Sequence, residues 1–267
     1  MKYIQQLSRQ LALDYCCTPA DILDQGNHFT EYRSLEGRRR FEDQDNCALK
    51  ITAVNRKLIF TGKKEIIELC REKYETCPGA WFMDVANFRE LDHILKPYGC
   101  QLKTAHPFFL PETESVAKET GFEIRTYDRG EILQFAGDNR FDEAFCFDEK
   151  SPDMLGVAAI SDGKIIGMAG ASADSPLFWQ IGINVEKEAE CRHIASTLVT
   201  ILKEEIEKLG KVPYYGTSMS NLASQRAAVN AGFAWHGWNF WRKLKYEISC
   251  KINDFGTGIM DKKYQIR

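Results

Sequence analysis

No apolar run in the 267 residues approaches the roughly twenty needed to cross a bilayer, so no membrane span is expected. No secretory leader is visible either. The nine cysteines, at 16, 17, 47, 70, 77, 100, 146, 191 and 250, form no CxxC pair and have no histidine at zinc spacing; their number is odd. Neither a disulfide framework nor a metal site is expected, and the thiols read as small buried residues of a reducing, cytoplasmic compartment. A basic field is missing as well. Lys and Arg total 35 against 38 Asp and Glu, for a net charge of −3, so nucleic acid is not an expected partner. The short run Arg38, Arg39, Arg40 reads as solvated surface.

What is present suits two domains, since the chain is long for one and carries 44% apolar residues to build cores. Ile4, Leu7, Leu11 and Tyr15 fall on one face of a helix over 2–15. Two β-prone runs, 47–54 and 57–61, flank Asn55-Arg56 and predict a hairpin. Helices are expected over 63–74 and 87–95, then an edge strand over 101–109, because proline at 107 removes a ladder donor. Pro107, Pro111 and the polar run PETESVAKET mark a linker. The expected division is an α+β domain over 1–112, a second domain over 118–250 and a tail over 251–267. The first domain carries no catalytic motif, and its expected place is the acceptor site or an oligomer interface. His28, His93 and His106 stand alone and read as structural or surface residues.

The densest pattern lies in 177–233. Residues 177–185 are uncharged and rich in aromatic and β-branched side chains, as in a strand covered on both faces. From 192 onward Ile194, Leu198, Ile201, Leu202 and Ile206 keep helical spacing, with Lys203, Glu204, Glu205 and Lys208 on the other side and Gly210 as the stop. A strand over 212–219 follows, then a helix capped by Ser220 or Asn221 and closed by Gly232. Strand, helix and parallel strand make a right-handed βαβ unit. The amides opening its helix can hold a phosphate by backbone alone. Upstream, Asp162-Gly163 between two β-prone runs signals a type I′ hairpin. Downstream, AWHGWNFWRKLKYEI suggests a final hairpin turning at Gly237.

In order and spacing these pieces resemble the GNAT acetyltransferases, and within them a two-domain bacterial subgroup. The matching segments are MLGVAAISDGKIIGMAGASAD (154–174), WQIGINV (179–185), Ile194-Ala195 and NLASQRAAVNAGF (221–233). The family's turn reads Arg or Gln, two residues, Gly, one residue, then Gly or Ala; here Glu190, His193 and Ala195 fill those places. Glu188 and Glu190 oppose a pyrophosphate by Coulomb repulsion, partly offset by Arg192 and His193. His193 must take a glycine's dihedrals if φ there is positive.

The resemblance implies a mixed α+β and α/β fold, in which a GNAT-like twisted sheet flanked by helices follows a smaller α+β N-terminal domain. It implies an N-acetyltransferase that moves an acetyl group from acetyl-CoA directly to an amine in a ternary complex, without metal. The acceptor would be a small-molecule or peptide amine, and a homodimer is compatible. Residues implied in binding CoA are Ile183, Val185, Arg192, His193, Ile194, Ala195, Ser196, Asn221 and Ser224. Catalytic candidates are Asp174 as the nearest carboxylate, Asn184 where the subgroup often has one, and Ser224. Ala228 fills the place of a frequent family tyrosine. The alternative is an acyl-CoA-binding regulatory protein that keeps the fold without turnover, and a third reading is a structural module with an empty turn.

Overall fold

The computed structural model describes residues 2–39, 47–115, 117, 121–189 and 193–244. The tail over 251–267 and the positions Glu190, Cys191 and Arg192 lie outside them.

The first half runs α1 (Ile4–Asp14), α2 (Pro19–Leu23), β1 (His28–Glu31), β2 (Leu49–Val54), β3 (Lys57–Gly62), α3 (Lys64–Tyr74), α4 (Val85–Leu95) and β4 (Cys100–Pro111). Leu7 and Leu11 of α1, with Tyr15 just past its end, are buried along one face, as their spacing predicts. The turn between β2 and β3 has Asn55 at φ 49° and Arg56 at φ 64°, the two left-handed residues that a type I′ hairpin requires. The second half runs β5 (Glu123–Asp128), α5 (Arg129–Ile132), β6 (Asp153–Ser161), β7 (Lys164–Ala173), β8 (Phe178–Val185), α6 (Ile194–Lys208), β9 (Val212–Gly216), α7 (Leu222–Asn230) and β10 (Phe233–Leu244). Asp162 at φ 50° and Gly163 at φ 71° turn β6 into β7, again as the sequence signals.

All ten strands share one mixed sheet in the order β1-β3-β2-β10-β4-β9-β8-β7-β6-β5. β1 pairs with β3 and β8 with β9 in parallel; the other neighbours are antiparallel. Two expectations are corrected here. β4 is no edge strand but lies between β10 and β9. It tolerates its prolines because the Pro107 carbonyl faces Thr217 beside β9, so the missing N–H at 107, and by alternation at 111, points the same way. The β9 ladder on that side spans only Phe108↔Gly216 and Phe109↔Tyr215, while the long β10 ladder keeps its donors. The second correction concerns the final hairpin: β10 is one strand, with a register shift between Trp235 and Gly237. Gly237 is needed for room, because a Cβ there would run into Ala53 O and the Phe108 ring.

Strand alternation divides the core between the two faces of the sheet. On one face α6 covers β6 to β9 through Leu198, Leu202 and Ile206, with α7 packed beside it and against β10 through Ala228, and α3 and α4 bring Ile66 and Leu91 onto a cluster that includes Phe60 of β3 and Phe240 of β10. On the opposite face α1 packs Leu7 and Leu11 against Phe108, Phe178 and Tyr214. On that same face, further along the sheet, Phe135, Phe141 and Phe145 pack on Ala158 and Met168. Among the described residues no helix is long and apolar enough to cross a membrane.

Candidate active site

β8 and β9 pair only from Phe178↔Val212 to Ile181↔Tyr215, yet β8 continues to Val185 alongside β7. The strands therefore part after Ile181. Glu186 N donates to Ile166 O of β7 (2.9 Å), and Val212 N donates to Leu177 O from the β9 side (2.9 Å). Even-numbered residues of β8 thus turn their backbone groups to β7 and odd-numbered ones to β9. The N–H groups of Ile183 and Val185 point into the side where the β9 ladder has ended.

The helix after this strand opens at His193, which caps α6 in the left-handed region at φ 60° and ψ 11°. Its exposed side chain makes no cap hydrogen bond, so it keeps the glycine's backbone without the glycine. Thr197 N donates to His193 O (3.0 Å), which leaves the amides of Ile194, Ala195 and Ser196 ahead of the helix's own ladder. Ile194 is buried, with its Cγ2 2.8 Å from where a Cβ on Gly167 would stand, so close packing fixes the helix start against β7.

Asn221 caps α7, its Oδ1 accepting from Ser224 N (3.0 Å). One turn of chain later the Ser224 hydroxyl meets the Tyr215 hydroxyl at 2.9 Å. Burial pushes the Tyr215 phenol up to about 12; the Ser224 bond lowers it and the Glu143 charge raises it. Ala228, on the same helix, is fully buried in the core.

On the opposite face of the sheet, residues 142–147 lie across the parted end of β8. Asn184 Oδ1 accepts from Glu143 N (3.0 Å) and Ala144 N (2.7 Å), while its Nδ2 donates to Asp142 Oδ1 (3.2 Å). Asp153 accepts from Cys146 N and Phe147 N (2.8 Å to the latter). Glycines let the segment settle: a Cβ on Gly170 would overlap Ala144 O, and one on Gly182 would overlap Glu143 O. Between this segment and α1 the sheet carries Ser172, Asp174, Gln180 and Gly216, all partly exposed. This uncovered polar stripe crosses the central strands and ends where β8 and β9 part.

Asp174 follows β7 and accepts from Ser172 Oγ (2.9 Å). Desolvation pushes its carboxyl up to about 7; Ser172 and the Arg39 guanidinium lower it, and Asp14 and Asp153 raise it. Register sets Met168 opposite Asn184 and Ala173 opposite Trp179, so Asp174 comes level with Phe178. At about 3.3 Å per residue it stands about 13 Å along the sheet from Gly182 and about 20 Å from Asn184.

The fold therefore gathers Ile183, Val185, His193, Ile194, Ala195 and Ser196 around the β8 end, with Asn221 and Ser224 across the gap near Tyr215. It does not gather the three catalytic candidates. Asn184 is occupied as the clamp of the 142–147 segment, Ser224 is tied to Tyr215, and Asp174 lies at the far end of the stripe. Sequence reasoning missed Glu143 and Tyr215: nothing in a strand-and-helix pattern places the first over Gly182, and the second reads as packing. One signal was available. Gly170 and Gly182 face each other across the ladder, which foretells a backbone lying on top of them.

Asp21, Asp24 and His28 are close enough to share a cation. Lys57 already fills that role, its Nζ 2.6 Å from Asp24 Oδ1, so the group reads as a structural ion pair.

The model of the Acetyltransferase (GNAT) family matches residues 121–233. Residues 121–233 form a GNAT acetyltransferase domain. The parted β8–β9 pair, the left-handed start of α6 and the α7 cap all belong to this GNAT domain. No curated protein matches the chain. Solved structures similar to it include a GCN5-related N-acetyltransferase-like protein from Streptococcus suis, at 13% identity and a TM-score of 0.45, covering 78% of this chain and 89% of that one. A GNAT-family acetyltransferase described as putative, from Novosphingobium aromaticivorans, is 14% identical with a TM-score of 0.40, covering 54% of this chain and 66% of that one. The structure of yncA from Salmonella typhimurium with its cofactor acetyl-CoA is 16% identical with a TM-score of 0.34, covering 49% of this chain and 98% of that one.

Proposed function

We propose that the protein is an acetyl-CoA-dependent N-acetyltransferase in which an amine attacks the thioester directly within a ternary complex. The observation that carries this reading is the parting of β8 from β9 after Ile181, which aims two backbone donors, Ile183 and Val185, into a gap beside a helix start. In this reading the amides of Ile194 to Ser196 hold the pyrophosphate of CoA, and the Ile183 and Val185 amides hold the acetyl oxygen as it gains negative charge. Asn221 and Ser224 line the other side.

The acceptor ammonium gives its proton to the Glu143 carboxylate, the freed amine bonds to the carbonyl carbon, and the carbon–sulfur bond breaks. The departing thiolate takes the phenolic proton of Tyr215, and the new amide nitrogen passes its surplus proton to the resulting phenolate, which restores the phenol. The phenolic proton is available because burial keeps the phenol neutral. The acceptor enters along the polar stripe. Residues 1–112 and 118–250 are then two units sharing one sheet, the first walling the stripe with α1. Free thiols at Cys16, Cys17, Cys47, Cys70, Cys77, Cys100 and Cys146 fit a reducing, cytoplasmic setting.

A CoA-binding protein without turnover is the less favoured reading, since His193 adopts the turn's left-handed backbone and Tyr215 offers an acid that Ala228 does not. A thiol-release assay with acetyl-CoA and a panel of amines separates the two. Release of CoA that depends on an amine is expected; binding of acetyl-CoA with no release for any amine would overturn the transferase reading.

A further inference from the structure

We propose that Lys203 is a positioning residue for the site: its buried ammonium anchors the C-terminal end of α7 and so holds Ser224 against Tyr215. The inference rests on the transferase reading only for the part that Tyr215 plays in turnover. It starts from how little apolar packing holds α7. The helix buries Ala227 and Ala228 alone, while its larger apolar side chains, Leu222 and Val229, are exposed. Two alanines remove little surface from water, so polar ties at the two ends of α7 set where it lies. At the N-terminal end the tie to the sheet is the pair of hydroxyls of Ser224 and Tyr215, 2.9 Å apart.

At the other end Lys203, itself buried, reaches across from α6. Its Nζ donates to Ala231 O (2.9 Å), just past α7, and to Ser115 Oγ (2.7 Å), and the Ser115 hydroxyl donates to Ala231 O as well (2.7 Å). A cation on the last carbonyls of a helix meets the negative end of its dipole. Burial lowers the pKa of this ammonium, whereas the charges of Glu207, Glu204 and Glu114 raise it. Gly232, at φ 84°, leaves the room: a Cβ there would stand 2.4 Å from Thr113 O and 3.2 Å from Lys203 Nζ. Gly232 O in turn accepts from Glu112 N (3.0 Å) and Thr113 N (3.2 Å), so the chain after β4 closes the anchor. The same Ser115 Oγ lies 3.4 Å from Thr200 Oγ1, which donates to Ser196 O (2.8 Å), and Ser196 Oγ donates to His193 O (3.0 Å). The anchor is thereby continuous with the turn that opens α6. Ser224 stands about 10 Å along the α7 axis from Ala231, at about 1.5 Å per residue. Over so short a helix a shift at one end reaches the other.

The test reads the Tyr215 phenol directly. The full chain is labelled with tyrosine carrying a carbon NMR label at the ring carbon that bears the hydroxyl, and the Tyr215 resonance is identified by its loss in Tyr215→Phe. Lys203→Met keeps the buried stem and removes the ammonium, a change often neutral for stability, and Ala231 O keeps its Ser115 donor. In this variant the Tyr215 resonance is expected to move in the direction seen in Ser224→Ala. Lys203→Gln, which keeps a donor, should return it toward the wild-type position, and Lys208→Met, at the exposed end of α6, should leave it in place. In turnover Lys203→Met should lose about ten- to a hundredfold in kcat, as misplacement of a reacting group does, with KM for acetyl-CoA nearly unchanged because the amides of α6 are untouched. A purely structural role gives the reverse, a lower Tm with the resonance and kcat of the folded protein unchanged. Ser115→Ala, at a partly exposed position, should move the resonance the same way and serves where Lys203→Met does not fold. A Tyr215 resonance that stays in place in the folded variants overturns the proposal. Should it move while the wild type acetylates no amine, the transferase reading fails and the anchor stands. Should amines be acetylated with equal kcat by the wild type and Lys203→Met, the resonance staying in place, the anchor fails and the transferase reading stands.

Discussion

The carbonyl oxygen of Glu143 occupies the space that a Cβ on Gly182 would need. Any side chain at 182 therefore lifts the 142–147 segment from the sheet and pulls on its bonds to Asn184. Gly182→Ala is expected to cost about 1–3 kcal/mol through overpacking. A thermal melt should show a Tm lower by several degrees; an unchanged Tm would mean that the segment does not lie against Gly182.

His193 keeps left-handed dihedrals at the head of α6 without a cap bond to repay them. That conformation costs a side chain about 1–2 kcal/mol, against about 0.5–1 kcal/mol of chain entropy lost by a glycine. His193→Gly should therefore raise stability by up to about 1 kcal/mol, or about 2–4 °C in Tm, whereas His193→Ala should not. The two variants melting alike would contradict the strain.

Asp174 predicts a pH dependence. Its carboxyl keeps a proton up to about 7 in the folded chain, against an ordinary value of 3.8. Between those values the folded state binds more protons than the unfolded one, so this group's contribution to stability is full below about pH 4 and is lost as pH rises through about 7. Asp174→Asn removes that loss. Urea denaturation of both proteins from pH 4 to pH 8 should show the variant gaining on the wild type as pH rises; a constant difference would rule the raised carboxyl out.

The amide of Ile183 faces the side of β8 where the β9 ladder has ended, which makes proline a selective probe. Ile183→Pro deletes that donor while the β7 ladder keeps its own. The variant should fold, and its thiol release should fall about 10²–10³-fold, the usual loss for one oxyanion donor. A folded variant with full activity would remove Ile183 from the site.

Much of the GNAT domain was legible because its signals are local. Asp162-Gly163 fixes a turn, the apolar residues from Ile194 to Ile206 fix a helical face, and the uncharged run of aromatic and β-branched residues over 177–185 fixes a strand. The site at the β8 end follows from that order. What stayed hidden depends on contacts distant in sequence. Pro107 reads as an edge residue until β9 proves to pair there with only two residues. Gly237 reads as a turn until Ala53 and Phe108 are seen to crowd it. Asp174 is only ten residues from Asn184 in the chain, but the β7–β8 ladder carries them to opposite ends of the stripe.

The central claim is that the parted end of β8 and the start of α6 hold acetyl-CoA. Thermal melts with and without millimolar acetyl-CoA test it most directly, because a ligand bound only by the folded chain raises stability by about 2.7 kcal/mol at a hundred times its Kd. A concentration-dependent rise in Tm is the predicted result; superimposable curves at every concentration would contradict the account.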